Sequence, residues 1–194
     1  MNWALASLLG YLLGSVPYGL LLTRAAGLGD VRSIGSGSIG ATNVLRTGNR
    51  KIAAATLALD ILKGVAAVLL AWHFWGREAG LLAGLAALIG HCFPVWIGFK
   101  GGKGVATAAG VLLAAAWWLA IACAVIWLVA AKVTKISSAS ALTACAAAPI
   151  VALLAGDLPL AGFALVIALL VAWRHSANIR RLLAGTEPRI GQGK

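Results

Sequence analysis

The chain has 194 residues, of which 61% are hydrophobic and 11% charged, and its mean hydropathy is +0.95. Soluble domains carry about 25% charged residues, so this balance excludes a soluble domain and describes an integral membrane protein. Sixteen basic residues against five acidic ones leave a formal charge of +11. In a soluble domain that would point to nucleic acid; here the basic residues collect at the ends of apolar runs, and the partner they point to is the membrane.

In chain order, apolar runs fall at 3–23, 52–75, 79–92, 104–116, 117–131, 138–155 and 158–175. At about 20 residues per crossing they predict one all-α bundle of about seven transmembrane helices, a single domain over 1–194. The first run starts next to Met1, with no basic segment before it and no small-residue cleavage site before Arg24, and reads as a retained span rather than a cleaved signal. The stretch 104–131 has no Gly or Pro break near its middle and reads as one long helix or as two short ones. Charge decides between them. With seven crossings, fourteen of the sixteen basic residues fall on one side, Arg77 falls on the other and Lys63 lies within a span. A single helix would move Lys132 and Lys135 across. The expectation is therefore two helices turning near Ala116–Trp118, with the N-terminus outside and the C-terminus in the cytoplasm. The chain shows no internal repeat and no matching pair of broken helices, the marks of an inverted-repeat transporter.

Four polar clusters interrupt the apolar runs, all on the predicted cytoplasmic side. The first, GSGSIGATNVLR at Gly35–Arg46, contains G-x-G-x-x-G (Gly35, Gly37, Gly40) with Asp60 twenty residues beyond. It follows a span rather than a strand, which argues against a dinucleotide fold. Its three glycines, with Ser36, Ser38, Thr42 and Asn43, offer many donors, and Arg46 offers a fork for phosphate. The plain alternative is a flexible glycine–serine turn. Next, Asp60 and Lys63 form an i, i+3 pair of opposite charge inside the second run, either an internal ion pair or part of a site facing a polar cavity. His73 and Glu78 lie on the opposite side, among interfacial tryptophans, and are set aside.

The second cluster, GHCFPVWIGFKGGKGVAT at Gly90–Thr107, is the most concentrated. Glycines let backbone amides approach a ligand, and the apolar run after Lys103 predicts a helix whose N-terminus faces an anion. Lys100 and Lys103 add charge, while the spacing of Gly101, Gly102 and Gly104 does not make a Walker loop. The bland reading is a pair of juxtamembrane lysines drawn to anionic lipid. His91 is a candidate base or a core histidine. The third, KISSAS at Lys135–Ser140, offers Ser137 and Ser140 as substrate contacts or as helix caps. The fourth, RHSANIRRLLAGTE at Arg174–Glu187, brings Arg174, His175 and Asn178 near one another on a helix, with Arg180 and Arg181 as headgroup anchors. The three cysteines sit alone in apolar runs, and the scattered acids form no metal cluster, so no metal or cofactor is expected.

Together these segments resemble the bacterial membrane glycerol-3-phosphate acyltransferases that use acyl phosphate as donor, the PlsY family. The matching motifs are GSG-x-x-GATN-x-x-R at Gly35–Arg46, D-x-x-KG at Asp60–Gly64, GH-x-FP with FKGGKGVAT at Gly90–Thr107, and RH-x-x-NI-x-RLL-x-GTE at Arg174–Glu187. Ser38 departs from the family's more usual Asn. The resemblance implies acyl transfer from acyl phosphate to the 1-hydroxyl of glycerol 3-phosphate, giving lysophosphatidic acid and phosphate, in the first step of phospholipid synthesis. It implies a cytoplasmic site at the bacterial inner membrane, with membrane lipid but no nucleic acid or obligatory protein as partner. On this reading His91, Lys103, Ser36, His175 and Asn178 are the catalytic candidates. Gly35, Gly37, Gly40, Thr42, Asn43, Arg46, Lys63, Lys100, Gly101, Gly102, Gly104, Ser137 and Ser140 are the substrate-binding ones. Direct transfer without an acyl-enzyme fits the lack of a nucleophilic triad, and the proton acceptor is a histidine or the donor's own phosphate. The rival class is a small transporter of an amphipathic phosphate, which would need polar residues at the outer face.

Overall fold

A computed structural model describes residues 2–190, and all regular structure among them is helical. The first apolar run is broken into α1 (Trp3–Ser15) and α2 (Tyr18–Ala25). Pro17 causes the break: it cannot donate to the helix and drives Val16 to φ −64°, ψ 116°, outside the helical region. A short α3 (Ala41–Val44) lies in the first loop, and α4 (Arg50–Trp75) begins where the Asn49 side chain accepts the Ile52 N–H. Then follow α5 (Arg77–Cys92), α6 (Val105–Ala115), α7 (Trp117–Thr134), α8 (Ser137–Leu154), α9 (Leu158–Arg174) and α10 (Ser176–Leu183). Lys194 lies outside the described residues.

Every predicted run is helical, and by length and composition alone fewer than seven helices qualify as spans. Five segments are long and apolar enough to span, namely Trp3–Ala25, Arg50–Trp75, Arg77–Ile97, Trp117–Thr134 and Ser137–Leu154. A sixth is reached only by counting α9 with α10 across a 67° bend. The eleven residues of α6 rise about 16 Å, well short of the ~30 Å hydrocarbon core. The turn expected near Ala116–Trp118 is there: Ala116, at φ −159° and ψ 87°, separates α6 from an α7 that runs three residues beyond the predicted end at 131.

The described residues form two compact units, 2–115 and 116–190. The first is held by glycine contacts in which one backbone lies against another. A Cβ added at Gly10 or Gly14 of α1 would sit 2.1 or 2.0 Å from the carbonyl oxygens of Ala83 and Ala87, so α1 and α5 run parallel and touching. Between α4 and α6, which also run parallel, the same closeness occurs: a Cβ at Gly64 would meet the Thr107 oxygen at 2.4 Å, and one at Gly110 the Ile61 oxygen at 2.0 Å. In a bilayer, where lipid tails remove the hydrophobic drive between helices, such small-residue seams supply packing instead. This pairing brings the C-terminal ends of α1 and α5, the N-terminal half of α4 and the start of α6 to one end of the unit. The loops 26–49 and 93–104 emerge there.

In the second unit α7, α8 and α9 follow one another as packed neighbours. Lys135, at φ +57°, ends α7, and the Asp157 side chain caps α9 by accepting the Leu160 N–H at 2.9 Å. The segment after α10 folds back as a strap. Glu187 accepts hydrogen bonds from Ser138 Oγ at 2.7 Å, from Arg181 Nε at 2.6 Å and from Asn178 Nδ2, while the Ile190 N–H donates to the Lys135 carbonyl at 2.7 Å. Burial opposes ionisation of Glu187, but these donors outweigh it and hold the carboxyl below the usual 4.5.

Gly110→Ala forces α4 from α6 and is expected to destabilise the protein by about 1–3 kcal/mol, whereas Gly162→Ala, with nothing within 4 Å, leaves stability equal or higher; thermal unfolding in detergent compares them. For Glu187, a lowered folded pKa means that its clamp is fully present above the unfolded value and is lost as pH falls through the folded one. Protection of the amides at 135–138 and 184–190, taken relative to the intrinsic exchange rate at each pH, is therefore expected to fall on acidification below the ordinary glutamate range. In Glu187→Gln that protection should be low at all pH values.

Candidate functional site

The first loop is built around Asn43, which is only 2% exposed. Its Oδ1 accepts the Ser36 N–H at 3.0 Å, and its Nδ2 donates to the carbonyls of Val31 and Ser38, each at 2.8 Å. Asn43 is thus the hub of the loop, bonding backbone groups through both polar atoms and accepting from Arg46 Nη1 at 3.5 Å. Asp30 anchors the start of the loop, accepting from the Arg32 N–H and pairing with Arg32 at 2.6 Å and Arg24 at 2.9 Å. The Arg32 guanidinium is the main reason its carboxyl lies well below the usual range. Gly35 has φ +53°, and a Cβ there would lie 2.3 Å from Arg46 Nη1. Only glycine allows both that turn and the guanidinium lying across it. Gly37 also turns left-handed, and the Gly40 N–H is taken by Ser38 Oγ at 3.3 Å. What the loop presents outward is Ser36 and Thr42, both exposed, with half-buried Arg46 beside them.

The glycine–lysine loop leaves α5 at Cys92 and returns to α6. Its Gly101 N–H donates to the Cys92 carbonyl at 3.2 Å, and its Gly102 N–H to the His91 carbonyl at 3.0 Å. These two amides point back at α5, whereas the amides placed to meet an anion belong to the first turn of α6. Intrahelical bonding there starts with the Ala108 N–H on the Gly104 carbonyl at 2.7 Å, so those of Val105 to Thr107 form the positive helix end. Half-buried Lys103 stands two residues ahead of that end, and Lys100 is exposed. Two contacts that sequence reasoning missed fix the loop to α1: Tyr11 Oη donates to the Phe93 carbonyl at 2.9 Å, and Trp96 Nε1 to Ser15 Oγ at 2.7 Å. The one available signal was the placing of polar-tipped aromatics beside a polar loop.

Behind the loop lies a buried ionic cluster. Lys63 Nζ is 2.7 Å from Asp60 Oδ1, both side chains being 2% exposed. The ammonium also donates to the Val16 carbonyl at 3.0 Å and lies 5.6 Å above the Tyr18 ring. Lys63 thus forms the internal ion pair that its i, i+3 spacing with Asp60 allowed. His91 Nδ1 faces the same Asp60 oxygen at 3.5 Å, and the ring is 3% exposed.

In the second unit His175 is equally buried, and its Nδ1 lies 2.8 Å from the Val171 carbonyl. A carbonyl can only accept, so Nδ1 carries the hydrogen. Ser140 Oγ donates to the Ile136 carbonyl of its own helix at 2.9 Å. Ser138, between the two serines singled out by sequence, is the one that reaches Glu187. Half-buried Ser137 opens α8. Asn178 is 3% exposed; Glu187 takes its amide hydrogen, and its Oδ1 has no hydrogen-bond partner among the described residues. That leaves a buried acceptor aimed by a carboxylate clamp.

Comparison with known proteins agrees with this chemistry. Residues 4–185 match the family model described as glycerol-3-phosphate acyltransferase. A protein of that name from Agrobacterium fabrum is 60% identical over 97% of this chain and 92% of its own length, and one from Rhizobium meliloti is 62% identical over 94% and 90%. Among solved structures, the crystal structure of PlsY (YgiH), an integral membrane glycerol 3-phosphate acyltransferase, in its glycerol 3-phosphate form, superposes with a TM-score of 0.92 at 37% identity, covering 98% of this chain and 96% of that one. Its lysophosphatidic acid form gives 0.90 at 36% identity, covering 99% and 97%. With one family model running through both compact units and relatives alike along nearly their whole length, the chain belongs to the integral membrane glycerol-3-phosphate acyltransferases, the PlsY family.

Proposed function

We propose that the chain transfers a fatty acyl group from acyl phosphate to the 1-hydroxyl of glycerol 3-phosphate at the cytoplasmic face of the bacterial inner membrane. The observation that carries this is the polar end of the first unit, where Lys103 precedes the open N-terminus of α6 and Arg46 lies across Gly35. Both substrates and both products carry phosphate, and fixed cations with backbone dipoles stabilise it without reorganising. The excess of basic residues on one side supports the cytoplasmic assignment. The solved relatives, described in glycerol 3-phosphate and lysophosphatidic acid forms, support the acceptor and the product.

The acyl phosphate is an activated anhydride. The glycerol oxygen attacks its carbonyl carbon, the bond from that carbon to the bridging oxygen breaks, phosphate departs, and the hydroxyl proton must find a base. The enzyme's share is alignment and charge neutralisation. Lys103, Arg46 and the first turn of α6 hold phosphate, exposed Ser36 and Thr42 orient it, and Lys100 draws anions to the surface. With His91 and His175 both buried and engaged, the donor's own phosphate oxygen is the better proton acceptor. The reaction so drawn calls for no metal, cofactor or protein partner.

Purified protein in lipid, given palmitoyl phosphate, is expected to release phosphate only when glycerol 3-phosphate is present. Lys103→Ala and Arg46→Ala should each lower kcat/KM by about 10²-fold or more while the protein stays folded. Release indifferent to the acceptor, or a Lys103→Ala variant as active as the parent, would refute the assignment.

A further inference from the structure

His91 stands in the polar cluster as a candidate base, yet its surroundings describe another task. Its ring is 3% exposed and its Nδ1 faces Asp60 Oδ1 at 3.5 Å. Its other side abuts the loop: a Cβ built on Gly102 would lie 2.0 Å from His91 Nε2, while the Gly102 N–H donates to the His91 carbonyl at 3.0 Å. Gly102 is thus seated on both the ring and the backbone of His91, and Lys103 is the next residue. The Gly101 position is as tight, for a Cβ there would lie 2.2 Å from the His91 carbonyl oxygen. Through Lys63, Asp60 also holds the Val16 carbonyl at the α1–α2 break, from which α2 leads to the Asn43 loop.

We infer that Asp60 and His91 are positioning residues, which seat Gly102 and thereby set where Lys103 and the α6 N-terminus meet the phosphate of glycerol 3-phosphate. This rests on the proposed reaction and deepens it. A carboxylate in an apolar helix keeps its place only with its charge partners, so it gives the loop a fixed support. The ring acts as a spacer whose thickness matches the missing Cβ of Gly102. Because the imidazole touches the loop rather than the reacting atoms, its loss should weaken binding of the acceptor phosphate and leave the chemical step alone.

The test is a double-mutant cycle on the full chain in lipid, with His91→Gln, Gly102→Ala and both together. KM for glycerol 3-phosphate is measured at saturating palmitoyl phosphate, beside kcat and the donor KM. Each single change is expected to raise the acceptor KM by about tenfold or more, with kcat and the donor KM within about threefold. The pair should be no worse than the worse single, since each disturbs the same seat. A fall in kcat at unchanged acceptor KM would make His91 a catalytic base and overturn the inference. So would multiplying effects in the pair, or a parallel rise of both KM values. Should His91→Gln fail to fold, Asp60→Leu with Lys63→Met removes both buried charges together, and the same acceptor-specific rise is expected; an unchanged acceptor KM in that variant overturns the inference too. A parent protein with no acceptor-dependent turnover would instead sink the proposed reaction itself.

Discussion

A carboxylate buried in an apolar helix must be neutralised where it lies, and Asp60 is such a group. Isolated in hydrocarbon it would be expensive; paired with Lys63 at 2.7 Å and faced by His91 it becomes a fixed point. Lys63 extends that point to the α1–α2 break, and His91 extends it to the glycine–lysine loop. The glycine seams make this possible, because only backbones in contact let side chains of α4 and α5 meet each other and the α1–α2 break in so small a volume. The close packing of the unit and its polar end are one arrangement.

The polar residues divide by task in a consistent way. Those with complete hydrogen bonding, such as Asn43, Lys63 and the amides of Gly101 and Gly102, hold the loops in shape. Those that face outward are Ser36, Thr42 and Lys100, with Lys103 and Arg46 half-buried beside them. In the second unit Glu187 has the same relation to Asn178, taking the amide hydrogen and leaving the oxygen. Rigid support behind adjustable cations suits a reaction in which one phosphate arrives as acceptor and another leaves as product.

Much of this was legible before any coordinates. Seven apolar runs announced seven helical segments, and the positive-inside rule placed a turn at Ala116 that carries neither glycine nor proline. The four clusters were legible because polarity is conspicuous in such a chain. Which members of a cluster serve the fold was not. Spacing says that Asn43 and the glycine amides lie in glycine-rich polar loops, but hydrogen bonds already made within a loop are invisible in it. At α6 the run 104–116 is already too short for a full crossing by its rise, and it forms a helix of eleven residues; hydropathy reports burial without reporting depth. The strap escaped notice because Glu187, Ser138 and Lys135 are brought together only by the chain's return.

The claim on which the functional account turns is the identity of the donor. Purified protein in lipid, supplied with glycerol 3-phosphate and chelator, should be offered palmitoyl phosphate, palmitoyl-CoA and palmitoyl-loaded acyl carrier protein in parallel, with lysophosphatidic acid and phosphate quantified together. The account predicts lysophosphatidic acid from palmitoyl phosphate alone, with one phosphate released per molecule formed. Product from either thioester at a comparable rate, or none from palmitoyl phosphate, would contradict it.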